Sequence, residues 1–254
     1  MPVKRTRNKK TDKQVGAGLT AKQMRRKKPI NSDFLVDIEP LTPNQEILFN
    51  DYARGKNIFT YGAAGTGKTF IVLYNAIRDV LNELTPYTKV YIVRSLVSTR
   101  EIGFLPGDHE DKSFLYQIPY KNMVKYMFKM PTDQDFEMLY GNLKQQETIS
   151  FWSTSFLRGT TFDDAIIIID ECQNLNFHEL DSIITRVGEN CRIHFCGDAA
   201  QTDLIKQNEK NGILDFMKIL EQMESFSMIE FDVDDIVRSG LCKEYLKTKL
   251  ALNM

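Results

Sequence analysis

Eight consecutive residues in this chain have the types and spacing of a phosphate-binding loop, G-x-x-x-x-G-K-[ST]. Glycines let the backbone wrap a phosphate chain without clashes from Cβ atoms, and the peptide N–H groups supply a positive field. In such a loop the lysine reaches the β- and γ-phosphates and the threonine holds Mg²⁺. The loop therefore predicts a site for a nucleoside triphosphate and Mg²⁺. Its residues are Gly62, Ala63, Ala64, Gly65, Thr66, Gly67, Lys68 and Thr69.

An apolar run followed by two acidic residues is a second candidate element. Residues 165–169 read Ala-Ile-Ile-Ile-Ile, which is typical of a central parallel strand buried on both faces, and Asp170 and Glu171 follow. An aspartate at the end of such a strand can hold Mg²⁺, and the next glutamate can deprotonate an attacking water. Acidic residues also end strands without any catalytic role. After a phosphate loop, however, the pair favours hydrolysis over plain binding.

The elements that must position these groups alternate along the chain. Alternation of this kind indicates a mostly parallel sheet with helices on both faces, an α/β fold whose ligands gather at the carboxyl ends of the strands. Residues 103–145 show no clear strand and are predicted to form a helical insertion. Strands are predicted at 57–61, 89–94, 148–153, 165–169, 192–196 and 227–231, and helices at 42–54, 70–84, 112–130, 176–186, 211–224 and 239–250.

The composition fits one sizeable core. The chain has 254 residues, of which 42% are hydrophobic and 11% aromatic. No apolar run approaches the length of a membrane span and no signal peptide precedes the charged start, so we expect a soluble, cytoplasmic protein without a membrane partner. The cysteines and histidines lack metal or nucleophile spacing, and Cys172 and Cys196 are predicted to be small core residues.

The first residues differ sharply from the rest. Residues 1–28 hold eleven lysines and arginines against the single acid Asp12, although the whole chain has a net charge of −1. We predict a disordered basic tail over 1–30 and a single ATPase domain over 31–254. Such a tail can bind nucleic-acid phosphates in a salt-sensitive, sequence-independent way. A solvated arm without a partner is an equally good interpretation.

Seven segments in a characteristic order carry a family resemblance. They are 41–45, 62–69, 101–108, 156–159, 170–174, 197–204 and 235–238. Together they resemble the PhoH family, ATPases related to the RecA-like cores of superfamily-one helicases, over nearly all of residues 40–248. The resemblance implies a single RecA-like P-loop domain that uses ATP and Mg²⁺. Leu115 and Asn122 depart from the family pattern within the insertion, which leaves its surface and partners open.

The resemblance also implies roles for two glutamines. Gln45 would contact adenine, since an amide offers both a donor and an acceptor to a base edge. The segment from Thr42 to Gln45 is also a capping box, in which the glutamine returns to the Thr42 backbone. Gln201 would contact the γ-phosphate or the attacking water, whereas Gly197 and Asp198 before it can also be no more than a turn that ends a strand.

Four residues end segments where superfamily-one proteins touch a nucleic-acid backbone. Arginine and hydroxyl groups suit phosphate contacts, which position a strand without reading its sequence. The aromatic residues Phe104, Tyr116 and Tyr120 can stack on bases, although aromatics in a helical insertion more often form core. The four backbone candidates are Arg94, Ser95, Arg158 and Thr160.

Arg238 lies in a segment similar to the helicase arginine motif. A neighbouring subunit would supply it as an arginine finger, because this chain has the length of one RecA-like lobe. Head-to-tail repetition closes a ring, by resemblance a hexamer. A salt bridge to Asp234 or Asp235 is the structural alternative.

The function predicted from these features is an ATPase that moves on single-stranded nucleic acid, an RNA helicase or translocase, with RNA favoured over DNA. One alternative is a nucleotide switch or assembly ATPase that unwinds nothing. Another is a P-loop kinase, which would need an acceptor pocket and an arginine-rich lid, and would leave Glu171, Gln201 and Arg238 unexplained together.

Overall fold

The computed structural model describes residues 34–94, 109–154, 157, 159–198 and 211–252. The basic tail and the predicted site residues Ser95, Arg158 and Gln201 lie outside these ranges. Phe104 does as well.

Six strands form one sheet in which every neighbouring pair is parallel, in the order β3-β2-β4-β5-β1-β6. All six correspond to predicted strands, with ends that shift by one residue at most. The predicted α/β fold with a mostly parallel sheet is therefore confirmed. The strands are β1 (Asn57–Gly62), β2 (Lys89–Arg94), β3 (Ile149–Ser153), β4 (Ala165–Asp170), β5 (Arg192–Cys196) and β6 (Phe226–Phe231).

Seven α-helices lie within the described ranges. They are α1 (Pro43–Ala53), α2 (Lys68–Leu81), α3 (His109–Met127), α4 (Asp133–Gln145), α5 (Phe177–Ile184), α6 (Asn211–Glu221) and α7 (Gly240–Ala251).

The predicted insertion contains two helices, whereas the sequence indicated only one helix there. The helix predicted over 112–130 ends at Met127, and α4 follows over Asp133–Gln145. Pro131 has no backbone N–H, so it cannot donate the hydrogen bond that would continue the helix. The Thr132 side chain then accepts a hydrogen bond from Asp135 N and caps the start of α4. A proline followed by a capping threonine was the signal for this break.

The sheet separates two apolar cores, because each central strand is buried on both faces. In β4, Ile166 and Ile168 pack into the core beneath α1 to α4, while Ile167 and Ile169 pack into the core beneath α5 and α6. Every residue of β4 is buried, as the unbroken apolar run predicted. Asp170 therefore lies at the carboxyl end of a strand that is buried along its whole length.

Cys172 and Cys196 are buried, which agrees with their prediction as core residues. Burial raises the pKa of both thiols. In the part of the chain that the structure describes, the helices are too short or too polar to cross a membrane.

The end of β1 approaches the end of β6 very closely. Gly62 has a φ of 109°, and a Cβ atom built there would lie 2.0 Å from the backbone oxygen of Phe231. Ala63 N donates to that same oxygen at 2.8 Å. A glycine is required here both for its backbone conformation and for this contact.

We expect Gly62→Ala to lower the free energy of unfolding by at least about 2 kcal/mol, because both the strained φ and the clash must be relieved by backbone movement. Gly141→Ala is the matched control, since Gly141 lies within α4 with open space around its Cα. It should stabilise the protein by about 0.5–1 kcal/mol. Urea unfolding followed by circular dichroism measures both, and equal midpoints would contradict the requirement at Gly62.

Candidate functional site

A cavity of about 280 Å³ opens at the carboxyl end of the sheet, beside the phosphate loop. Ligands of parallel α/β folds bind at this edge. Besides loop residues 64–69, its lining includes Arg94, Tyr120, Asp170, Glu171, Asp198 and Arg238. The structure therefore brings together most of the site residues predicted within the described ranges.

The loop presents an uncapped helix N-terminus to the cavity. Gly67 precedes α2 in the left-handed conformation, with a φ of 86°, and no side chain caps the first turn of the helix. Backbone N–H groups of a first turn have no partner within their own helix. Together with the macrodipole of the fourteen-residue α2, they favour an anion such as a phosphate.

Lys68 is a buried cation within this loop. Its ammonium donates to the carbonyl oxygens of Gly62 at 3.0 Å and Ala63 at 2.5 Å. Burial lowers the pKa of Lys68, and the nearby carboxylate of Asp198 opposes that shift. The ammonium group is thus held among the loop carbonyls, where it faces the cavity.

Thr69 and Asp170 join the start of α2 to the end of β4. The Thr69 hydroxyl donates to Asp170 Oδ1 at 2.7 Å. A hydroxyl and a carboxylate are hard oxygen donors of the kind that Mg²⁺ takes, usually completed by water and substrate phosphate. The two predicted Mg²⁺ residues therefore lie together and fit that ion chemically.

Glu171 is held in an uncommon backbone conformation by its neighbours. Its φ is 55°, in the left-handed region that non-glycine residues rarely adopt. Gln173 Nε2 donates to Glu171 Oε2 at 2.6 Å, while Gln173 Oε1 accepts from Asp198 N at 3.0 Å. Gln173 thus connects the acidic residue to the chain that follows β5. Backbone strain of this kind is concentrated at functional sites.

Arg94 contacts Glu171 in this structure. Arg94 ends β2, and its guanidinium lies 3.8 Å from Glu171 Oε1. The guanidinium carbon is 6.0 Å from the centroid of the Tyr116 ring. Sequence reasoning predicted a nucleic-acid contact for Arg94 and missed this ion pair. The parallel register, which places Arg94 beside Asp170, brings Arg94 close to Glu171.

Tyr120 contacts the carboxylate of Asp170, a role that sequence reasoning did not identify. Only 2% of its surface is exposed, so stacking on a base, which was considered for it, does not fit this structure. Its hydroxyl donates to Asp170 Oδ2 at 2.6 Å. No motif marks this tyrosine, because its position depends on how the insertion packs.

Gln45 contacts the phosphate loop directly. Its Nε2 donates to the Thr66 carbonyl at 2.9 Å, and its Oε1 accepts from Leu41 N at 2.8 Å. Thr42 caps α1 by accepting from Gln45 N, but the glutamine side chain does not return to the Thr42 backbone as the capping box predicted. Only 3% of Gln45 is exposed. The contact with adenine stays a prediction.

Arg238 lies against the phosphate loop of its own chain. A Cβ atom on Gly65 would come within 2.9 Å of Arg238 Cγ, and Val237 N donates to the Gly65 carbonyl at 3.2 Å. This placement favours a role for Arg238 within its own chain, while its supply by a neighbouring subunit stays a prediction.

The acidic residues near Arg238 have other contacts. Asp234 pairs with Lys247 at 3.2 Å, and Asp235 Oδ2 accepts from Asn44 at 2.7 Å. The salt bridge that was the structural alternative for Arg238 is not seen among these described contacts. Thr160, the other described candidate for nucleic acid, does not line the cavity.

Comparisons with known proteins agree with these features. A family model described as PhoH-like protein matches residues 37–249. The chain is 30% identical to a PhoH-like protein of Bacillus subtilis, over 76% of this chain and 58% of that one. It is also 30% identical to Protein PhoH of Escherichia coli K12, over 74% of this chain and 51% of that one. The chain thus spans little more than half the length of these curated relatives.

Two solved structures share a distant overall similarity with the chain. The large terminase of a thermophilic bacteriophage, in complex with ADP, aligns with 11% identity and a TM-score of 0.44, over 83% of this chain and 50% of that one. The Pif1 helicase of Candida albicans aligns with 14% identity and a TM-score of 0.37, over 85% of this chain and 44% of that one.

The contacts of Gln45 lead to a prediction about nucleotide selectivity. We expect Gln45→Ala to weaken the binding of ATP and GTP by the same factor, because the lost hydrogen bond supports the loop at the Thr66 carbonyl. Fluorescence titration with both nucleotides measures this. A loss confined to ATP would contradict loop support and would favour the adenine contact instead. Gln117→Ala, in α3 outside the cavity lining, is the control.

Proposed function

This chain belongs to the PhoH family, and we propose on that basis, together with the geometry of the cavity, that it hydrolyses ATP with Mg²⁺ and couples hydrolysis to movement on single-stranded nucleic acid, RNA in preference to DNA. The observation that carries the proposal is the hydrogen bond of 2.7 Å between Thr69 and Asp170, with Glu171 next in the chain and Lys68 in the same cavity. A phosphate loop, a Mg²⁺ carboxylate and a candidate base then occupy one site.

Each of these side chains has a separate role in the proposed reaction. Lys68 and the N-terminus of α2 bind the β- and γ-phosphates and offset their negative charge. Thr69 and Asp170 would hold Mg²⁺, which would supply positive charge to offset the negative charge of the phosphates. Glu171 accepts a proton from the attacking water through a carboxylate oxygen. Gln173 keeps that carboxylate in place through its bond of 2.6 Å.

Arg94 supports the proposed coupling to nucleic acid. A guanidinium binds phosphate as well as carboxylate, often through two parallel hydrogen bonds. Arg94 is half-buried and lies 3.8 Å from Glu171, so a nucleic-acid phosphate drawn to it would change the surroundings of the proposed base. The basic residues 1–28 are a further proposed contact, which would make binding depend on salt.

The proposed function is tested by ATP hydrolysis with and without single-stranded RNA or DNA. We expect the polymer to stimulate the wild type. Glu171→Gln should lower turnover roughly 10²–10⁴-fold while keeping ATP binding, because an amide cannot accept the proton. Glu221→Gln, an exposed carboxylate at the end of α6, is the matched control.

Three outcomes would count against parts of this proposal. Unchanged hydrolysis in Glu171→Gln would remove Glu171 from the mechanism. Hydrolysis that neither polymer stimulates would favour a nucleotide switch or assembly ATPase. Stimulation without strand displacement in a duplex assay would restrict the function to translocation.

We further propose a homo-oligomeric ring, a hexamer by family resemblance. The mass expected by light scattering with ATP and Mg²⁺ is six times that of the 29.4 kDa chain. A monomer that is fully active would contradict the ring. The proposed ring does not require an arginine supplied between subunits, since Arg238 lies beside Gly65 of its own chain.

Mixing two inactive variants tests where Arg238 acts. Arg238→Ala should bind ATP nearly normally and hydrolyse it poorly, because an arginine that stabilises the transition state is worth about 10³–10⁵ in rate in the best-studied systems. We expect no recovery when it is mixed with Glu171→Gln, because each chain then lacks one group in its own site. Recovered hydrolysis would show that a neighbour supplies the arginine. Arg54→Ala, which removes an exposed arginine elsewhere, is the control.

A further inference from the structure

The helical insertion reaches directly into the proposed Mg²⁺ site. α3 begins the insertion, and its Tyr120 hydroxyl donates to Asp170 Oδ2 at 2.6 Å. The other carboxylate oxygen, Oδ1, accepts from Thr69 at 2.7 Å. The Asp170 carboxylate is therefore held from two directions, by the nucleotide-binding helix α2 on one oxygen and by the insertion on the other.

Tyr120 is fixed in place by its surroundings. Its ring centroid lies 5.5 Å from that of Phe151 on β3, and the residue belongs to the same core as Val124 and Met127, one and two turns further along α3. With only 2% of Tyr120 exposed, water has little access to the hydroxyl. The hydroxyl can thus move away from Asp170 only if α3 moves with it.

The direction of this hydrogen bond is defined by the chemistry of its partners. At neutral pH an ionised carboxylate can only accept hydrogen bonds, whereas a tyrosine hydroxyl carries a proton that it can donate. The phenol of Tyr120 therefore acts as the donor and the Asp170 carboxylate as the acceptor. A charge-assisted bond of this kind is short and roughly twice as strong as a neutral one.

We infer that Tyr120 is a positioning residue for Mg²⁺, which orients the Asp170 carboxylate and thereby connects the insertion to the affinity of the site for the ion. The inference rests on the proposed function, in which the Asp170 carboxylate holds the Mg²⁺ of the nucleotide. Tyr120 is then the second hydrogen-bond donor to that carboxylate, besides Thr69. Groups that orient a metal ligand from behind commonly change metal affinity or activity 10–100-fold when they are removed.

A regulatory consequence follows from the position of α3. The insertion is where this chain departs from the family pattern, at Leu115 and Asn122, and both residues belong to α3. Any partner that shifts α3 along or away from the sheet would withdraw the hydroxyl from Asp170. Binding of a partner to the insertion would then raise the Mg²⁺ concentration that nucleotide binding requires.

The test removes only the hydroxyl, through Tyr120→Phe, which keeps the ring and its packing. Binding of a fluorescent ATP derivative is titrated with MgCl₂ at fixed nucleotide. We expect the Mg²⁺ concentration at half-saturation to rise about 10–100-fold. Binding of the nucleotide in EDTA should remain unchanged. Tyr126→Phe is the matched control, because Tyr126 lies on the same helix, is 74% exposed and contacts Phe70 only through its ring.

The Asp170→Asn background provides a second measurement. If the hydroxyl acts through the carboxylate, Tyr120→Phe should raise the Mg²⁺ concentration at half-saturation little further in that background. The effects of the two changes on this concentration are then strongly non-additive. A Tyr120→Phe protein with the Mg²⁺ dependence of the wild type would overturn the inference. The inference would also be overturned if Tyr120→Phe lowered nucleotide affinity equally with Mg²⁺ and in EDTA, or if the effects of the two changes were additive in the double variant. Either result would assign Tyr120 a merely structural role. A wild type that binds no nucleotide would instead refute the proposed function.

Discussion

The hydrogen bond between Thr69 and Asp170 is the interaction on which the site depends. Thr69 lies in the first turn of α2, which follows β1, whereas Asp170 ends β4. β1 and β4 are not neighbours in the sheet, because β5 lies between them. Two strand spacings amount to about 10 Å, so the contact forms only because α2 begins directly after the phosphate loop and turns over the end of β5. The parallel register completes the arrangement by placing Asp170 beside both Arg94 and Cys196 at one edge.

The strands and the phosphate-binding residues could be predicted because each carries a local signal. An apolar run such as 165–169 must be buried on both faces, and a glycine-rich loop before Lys68 has few other uses. The break at Thr132 does carry a local signal, Pro131 followed by a capping threonine, which was overlooked. The contact of Tyr120 was missed for a physical reason, because it depends on how the insertion packs on the sheet, and no residue type at a fixed spacing encodes that packing. Arg94 was noticed, but its ion pair with Glu171 follows from sheet register.

The groups around Glu171 suggest how a strained acid is kept in place. A left-handed conformation costs a non-glycine residue roughly 1–3 kcal/mol and persists only where its surroundings fix it. Asn174 N donates to the backbone carbonyl of Glu171 at 3.0 Å. Gln173 and Arg94 restrain the Glu171 carboxylate, one through a hydrogen bond of 2.6 Å to Oε2 and one through an ion pair at 3.8 Å to Oε1. Gln173 also accepts from the backbone N–H of Asp198, so one side chain links the Glu171 carboxylate to the backbone just after β5.

The close approach of Gly62 to Phe231 has an implication for how such proteins diverge. The oxygen of Phe231 accepts from Ala63, and the carbonyl of Gly65 accepts from Val237, so main-chain hydrogen bonds help attach the loop to the end of β6 and to the chain that follows it. A bond through a backbone carbonyl does not depend on the type of side chain that the residue carries. Phe231 is constrained for a separate reason, because its side chain is buried in the core. In a comparison of sequences, a retained glycine at position 62 would therefore report the close approach of the two backbones, whereas a retained residue at position 231 would report the packing of its ring.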